Sequence, residues 1–234
     1  MKKENLSDIK NSKWNFNENV PENFIEHISR SVPFYFECHQ LILDLCDHYI
    51  YNDSIVYELG SSAGNLINSL SLKYKSRDCR FVGIDLSKEM VLFSKKNYKR
   101  KNLRFFRDDI TKFNYTRSDI FISFYTFQFL KPNVREGLIK KIFKKLNTGG
   151  AFIFFEKTRA TNSRFEDLIQ DLYYEFKLRN DFSMDDIMKK RKGLVGVLEP
   201  YTSLKNIKML KSAGFSEVCK IFNFYGFEGL LAIK

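Results

Sequence analysis

Short apolar runs bounded by small or charged residues alternate along this chain with amphipathic stretches, the rhythm of strands separated by helices. Ile55, Val56 and Tyr57, following Asp53 and Ser54, read as a buried parallel strand that continues through Glu58 and Leu59. The chain then turns from Gly60 to Gly64, and a helix begins at Asn65. Further strands are expected over 80–84, 103–107, 119–124 and 151–155. Between them Ser87 caps a helix carrying Met90, Val91 and Phe93. Another helix runs from Pro132 or Asn133 to Leu146, with Asn147 to Gly150 as a glycine C-cap. Two closing strands, about 217–224 and 227–233, follow a helix capped by Thr202 and stopped at Gly214. This alternation predicts an α/β fold with a doubly wound, mostly parallel seven-stranded sheet.

Around that sheet the pattern changes. Residues 1–13 are polar and lysine-rich and read as a loose terminus, so one domain is expected over 14–234. Residues 14–50 carry aromatics from Trp14 to Phe24, then a helix opened by Pro33 and running to about Tyr49. They form an N-terminal helical cap, able to close over a ligand or simply to complete the core. A helical insertion is expected over 160–200, because Phe165, Leu168, Ile169, Leu172 and Phe176 recur at helical spacing within 162–192.

Candidate chemistry gathers where the strands end. Small residues from Gly60 to Gly64 let backbone N–H groups approach a ligand beside the positive end of a helix. The next strand ends in Asp85, the distance and place at which doubly wound folds bind the two hydroxyls of a ribose. Only Gly60 and Gly64 stand where the dinucleotide fingerprint has three glycines, which disfavours NAD and FAD. Glycine turn and distal acid together make a nucleoside site.

Glu58, Leu59, Gly60 and Gly64 stand in a pattern that resembles motif I of class I S-adenosylmethionine (SAM) methyltransferases, a Rossmann-like fold whose sheet ends in a reversed strand pair. More narrowly, the chain resembles the carboxy-SAM synthase branch over almost its whole length. The matching residues are Arg30, Ser31, Val32, Pro33 and Tyr35; Leu59 to Ser62; Thr126, Gln128, Phe129, Leu130 and Pro132; Glu156 and Lys157; Phe176, Lys177 and Asn180, running on to Lys190 and Arg191; and Ala213, Gly214 and Phe215. The resemblance implies SAM as cofactor and a cofactor-binding set of Tyr35, Gly60, Ser61, Ser62, Gly64, Asp85, Leu86, Asp109, Ile110, Phe124 and Arg191. Asp109, with Asp108 as competitor, would accept from the adenine amino group. Arg191 would neutralise a carboxylate across a homodimer interface, a role suited to its planar paired donors.

Two departures bear on the activity. Phe124 stands where the family has an asparagine, and Val195 and Gly196 replace an acidic–asparagine pair. Both changes touch the region that would hold a carboxylated sulfonium, so the expectation leans to methyl transfer onto a small-molecule or polymer-linked acceptor. The alternative is carboxy-SAM synthesis from SAM and prephenate, feeding tRNA wobble-uridine modification. A SAM- or nucleic-acid-binding module is the non-enzymatic alternative. A sulfonium is already a potent leaving group, so positioning matters more than acid–base help. Glu156 is the candidate base beside Arg191 as candidate catalytic cation, though Glu156 can equally orient Lys157 or a backbone amide; His27 and His39 are lesser candidates.

Composition narrows the partners. The net charge is +11 with pI near 9.4, but the excess is spread along the chain, and the densest run, Lys95 to Lys101, closes a helix. No tight nucleic-acid binding is expected. Cys38, His39, Cys46 and His48 spread around one helix instead of converging, so no metal site is expected. Scattered cysteines, no secretory signal and no apolar run near the roughly twenty residues of a membrane span point to the cytoplasm, away from membranes.

Overall fold

The computed structural model describes residues 20–234. The expectations for 1–13 and for Trp14 and its neighbours up to residue 19 therefore lie outside the described residues. Its strands are β1 (Ile55–Leu59), β2 (Arg80–Asp85), β3 (Leu103–Arg107), β4 (Ser118–Phe124), β5 (Leu146–Lys157), β6 (Glu217–Phe224) and β7 (Phe227–Ile233). They form one seven-stranded sheet in the order β3-β2-β1-β4-β5-β7-β6. The strands from β3 to β5 run parallel, while β7 is antiparallel to both β5 and β6. Strand order reverses between β1 and β4, the switch point beside which such sheets bind ligands.

Why β1 sits at the centre follows from its sequence: all five residues are buried, as a strand covered on both faces requires. One face packs Tyr57, Leu59, Phe121, Phe152 and Phe154 against α5 (Pro132–Lys145) and α8 (Ser203–Ala213). The other packs Val56, Phe81, Ile120 and Ile153 against α2 (Tyr35–Cys46), α3 (Asn65–Lys73) and α4 (Lys88–Asn97). Ile42 and Cys46 are fully buried there, so α2 is core as well as cover. A smaller aromatic cluster of Val32, Tyr35, Tyr173 and Phe227 ties α1 (Val20–Ser31) and α6 (Ser163–Arg179) to the carboxyl end of the sheet.

Three expectations are corrected. Gly149 and Gly150 do not cap α5: the helix stops at Lys145, Leu146 is already extended, and both glycines lie in the first half of β5. The 162–192 segment is two helices, α6 and α7 (Met184–Leu194), broken where Asp181 takes a left-handed φ of 61°. Ser183 and Asp186 then start α7 with a reciprocal capping box. Finally, α2 ends at Cys46, short of Tyr49.

Candidate cofactor site

The turn after β1 is held from inside. Asp85 accepts from the Ser62 amide at 2.7 Å through one oxygen and from the Ser87 amide at 2.8 Å through the other. Burial pushes its carboxyl above the usual carboxylate range, against the pull of those amides. The amides of Gly60 and Ser61 donate to the Ile84 carbonyl, and that of Gly64 to the Ser61 carbonyl. The expectation that these N–H groups face a ligand is therefore corrected for four of them, Gly60, Ser61, Ser62 and Gly64. What the glycines supply is room. Gly60 has φ of +71°, and a Cβ there would stand 2.5 Å from the Thr126 side chain. A Cβ on Gly64, φ +78°, would stand 2.7 Å from the Phe105 ring.

Ser62 holds a left-handed φ of 47°, and Tyr125, at the end of β4, one of 58°. Both non-glycine residues lie at the carboxyl edge of the sheet, where the candidate site residues gather. Ser61 Oγ, Ser123 Oγ and the Tyr125 hydroxyl are buried without a hydrogen-bond partner. Ser123 lies at the β1–β4 switch point, where it pairs with Leu59, while Ser61 Oγ sits over Gly83 of β2. An acid at the end of β2 and a glycine turn with four of its amides bonded inside the protein fit the hydroxyls of a nucleoside better than a pyrophosphate, which needs free N–H groups.

The remaining candidates fall into place or away from it. Asp85 and Arg107 are paired neighbours, so Leu86 and the Asp108–Asp109 corner lie at the same edge. Asp109 spends one oxygen on the Thr111 amide and hydroxyl at 2.9 and 2.7 Å, and its other is 3.9 Å from Lys112. Partial burial would raise its carboxyl, but the Thr111 bonds outweigh that and hold it below the usual range. Asp108 is exposed and bonds the Asp109 amide. Ile110 is buried in the core while Leu86 is 70% exposed, a surface free to meet a planar ring.

Above β4 stands an aromatic wall. The Phe124 ring centroid lies 5.7 Å from Tyr35, 4.9 Å from His39, 4.6 Å from Tyr125 and 5.3 Å from Phe155. Burial drops His39 to about 4, so it is a neutral ring at physiological pH. No formal positive charge belongs to this wall.

The two candidate catalytic residues differ in setting. Glu156 is buried, and its Oε1 accepts from the Phe127 amide at 2.8 Å. Burial pushes it to about 8. It anchors the 3₁₀ turn Phe127–Phe129. Arg191 is exposed on α7 and makes no ion pair or hydrogen bond among the described residues.

Sequence reasoning missed the latch beneath the site. Thr126 Oγ1 donates to the Leu59 carbonyl at 2.8 Å, joining the ends of β1 and β4. Gln128 Oε1 accepts from the Lys157 amide at 2.8 Å, and the fully buried Arg135 donates to the Leu130 carbonyl at 2.7 Å. Glu58, buried in β1, accepts from the Ile67 amide at 3.1 Å and is pushed by burial to about 8. Thr126, Gln128 and Leu130 sat in a quoted motif; their job as a brace was the missing part.

Residues 56–150 match the family described as "Methyltransferase domain". The chain is 33% identical over 222 residues to a carboxy-S-adenosyl-L-methionine synthase of Staphylococcus epidermidis, covering 94% of this chain and 97% of that one. It is 32% identical over 236 residues to the synthase of Campylobacter jejuni, covering both chains in full. Among solved structures, human N-acetylserotonin methyltransferase in complex with SAM superposes with a TM-score of 0.62 at 17% identity, over 93% of this chain and 56% of that one, a likeness of fold.

Proposed function

The chain belongs to the carboxy-S-adenosyl-L-methionine synthase family, a branch of the SAM-dependent transferases, and from that premise we propose that it transfers the SAM methyl group to a small-molecule or polymer-linked acceptor. The observation that carries this reading is the neutral aromatic wall of Phe124, Tyr35 and His39 beside the glycine turn. Ring faces attract a sulfonium and keep water away from a methyl in transit; they offer nothing to a carboxylate. When bound, SAM supplies an activated one-carbon group that needs little acid–base help.

The chain's own residues then hold and orient. Asp85 accepts from the ribose hydroxyls with the lone pairs its two amide bonds leave free. Ser61 Oγ finds in the cofactor the partner it lacks in the protein. Asp109 accepts from the adenine amino group, Leu86 and Ile110 flank the base, and Gly60, Ser62 and Gly64 shape the floor. Glu156, Thr126 and Gln128 keep the strained Tyr125 corner rigid, so that an acceptor meets the wall in a fixed position. Four free thiols suit a reducing cytoplasm.

Carboxy-SAM synthesis from SAM and prephenate is the second reading. The full-length relatives and the exposed Arg191 favour it, because a second copy in a homodimer could lay that guanidinium over its neighbour's site. Incubation with SAM and prephenate, followed by mass spectrometry of the nucleosides, separates the two. Methyl transfer expects unchanged SAM. Carboxy-SAM accumulating over many turnovers would overturn it and install the second reading.

A further inference from the structure

Three lysines from three elements converge beside the aromatic wall, and no part of the cofactor site uses them. Lys157 Nζ, at the end of β5, and Lys177 Nζ, on α6, each stand 4.4 Å from the centroid of the one Tyr173 ring. The two ammonium groups are therefore no farther apart than twice that distance. Lys190, on α7, reaches 2.8 Å from His27 Nε2. Lys177 is 7% exposed, and among the described residues neither Lys157 nor Lys177 has a carboxylate within ion-pair distance or a hydrogen bond from its ammonium. Lysines are rarely buried unless paired, so an unpaired buried Lys177 sharing one ring with a half-buried, unpaired Lys157 needs a reason.

The surroundings point toward the cofactor edge. Phe227 lies 5.7 Å from Lys157 Nζ and 5.5 Å from the Tyr125 ring, which adjoins Phe124. Tyr173 is fixed by its hydroxyl, which donates to the Ser31 carbonyl at 2.8 Å. A carboxylate held by the lysines would thus be separated from the wall by two aromatic rings, the width of a small cyclic or branched body. Resting on the reading that the wall faces the sulfonium of SAM, we propose that Lys157 and Lys177, with Lys190 behind them, form the subsite that binds the carboxylate of the second substrate.

The charges facing the subsite agree. Burial and mutual repulsion lower Lys177 to about 7; burial lowers Lys157 and Lys190 to about 8. His27, lowered to about 4 first by burial and then by Lys190, is neutral and adds no charge. Arg159 and Arg30 add positive charge nearby, against Glu166 and Asp186. Glu166 is committed to the Ala160 amide and the Gln170 amide group. An arriving carboxylate would raise the lysines again, so its affinity should fall as pH rises from 6.5 to 9, about tenfold per unit once the ammoniums deprotonate.

Calorimetric titration of the full chain with phenylacetate, malonate, benzyl alcohol and inorganic phosphate, each with SAM present, tests the proposal. The two carboxylates should bind and the neutral alcohol should not. Lys157→Met and Lys177→Met should each weaken the carboxylates about tenfold or more, leave SAM affinity within about twofold, and fold normally. Lys177→Arg should recover most of the loss. A protein that binds SAM but neither carboxylate, variants that bind carboxylate as well as the parent, or phosphate bound more tightly than either carboxylate would overturn the subsite. If SAM itself fails to bind, the cofactor reading falls, and lysine-dependent carboxylate binding still decides the subsite alone.

Discussion

Asp85 serves two masters at once. Its oxygens hold the Ser62 and Ser87 amides, and under the proposed reading their remaining lone pairs accept from the ribose hydroxyls. Asp85→Ala should lower SAM affinity by about 2–4 kcal/mol, since a charged acceptor for two hydroxyls is lost. Calorimetry on the purified variant, with circular dichroism to confirm the fold, checks this; unchanged affinity would remove Asp85 from the site. Glu156 makes the contrasting case. With its carboxyl pushed to about 8 it is neutral near pH 7, so Glu156→Gln should cost under about 1 kcal/mol. Glu156→Ala, which strands the Phe127 amide, should cost about 2–3 kcal/mol in urea unfolding. The glycine turn of Gly60 and Gly64 and the strand end at Asp85 were legible in the sequence because small residues and an acid close apolar strands there. The direction of the turn amides was not, because the acceptors of Gly60, Ser61 and Ser62, namely Ile84 and Asp85, come from the neighbouring strand.

At the scale of elements, the strands could be read because a strand buried on both faces is nearly all apolar, as β1 is. Helix ends were harder. Gly149 looked like a cap, yet Leu146 already pairs with Ser118 and the chain enters β5 without one. The break between α6 and α7 had a readable signal, Ser183 followed three residues later by Asp186, that the apolar periodicity concealed. The lysine cluster was illegible because Lys157, Lys177 and Lys190 meet only once β5, α6 and α7 are packed. Its energetics give a prediction at this scale. The folded pKa of Lys177 lies below the unfolded 10.5, so the unfolded state binds more protons between about 7 and 10.5, and stability gains from this group as pH rises through that window. Lys177→Met should be more stable than the parent by about 1–2 kcal/mol at pH 7, with the gap closing by pH 10. Urea unfolding at both pH values reads it; a gap that does not change with pH would show that the buried charge is not its source.

At the scale of the whole molecule, one group of cations shares a surface. Lys95, Lys99, Arg100, Lys101 and Arg104 line an open groove of about 620 Å³ along β3, away from the cofactor edge. Two of these cations have hydrogen bonds committed to neutral groups, Arg100 to the Asn68 side chain and Arg104 to three backbone carbonyls, though both keep their charge. Binding of tRNA here should be electrostatic and without base contacts, weaker than about 1 µM at physiological salt and collapsing as salt rises; filter binding tighter than that would contradict it. No described helix is long and apolar enough to cross a membrane. At the other edge Phe124 presents a ring where the family resemblance leads one to expect an asparagine. Competition calorimetry with SAM and carboxy-SAM, on the parent and on Phe124→Asn, tests the methyl-transfer reading most directly. The parent should bind SAM at least as tightly as carboxy-SAM, and Phe124→Asn should shift the preference toward carboxy-SAM by about 1 kcal/mol or more. A parent that prefers carboxy-SAM by tenfold or more, about 1.4 kcal/mol, with no change in Phe124→Asn, would contradict the account.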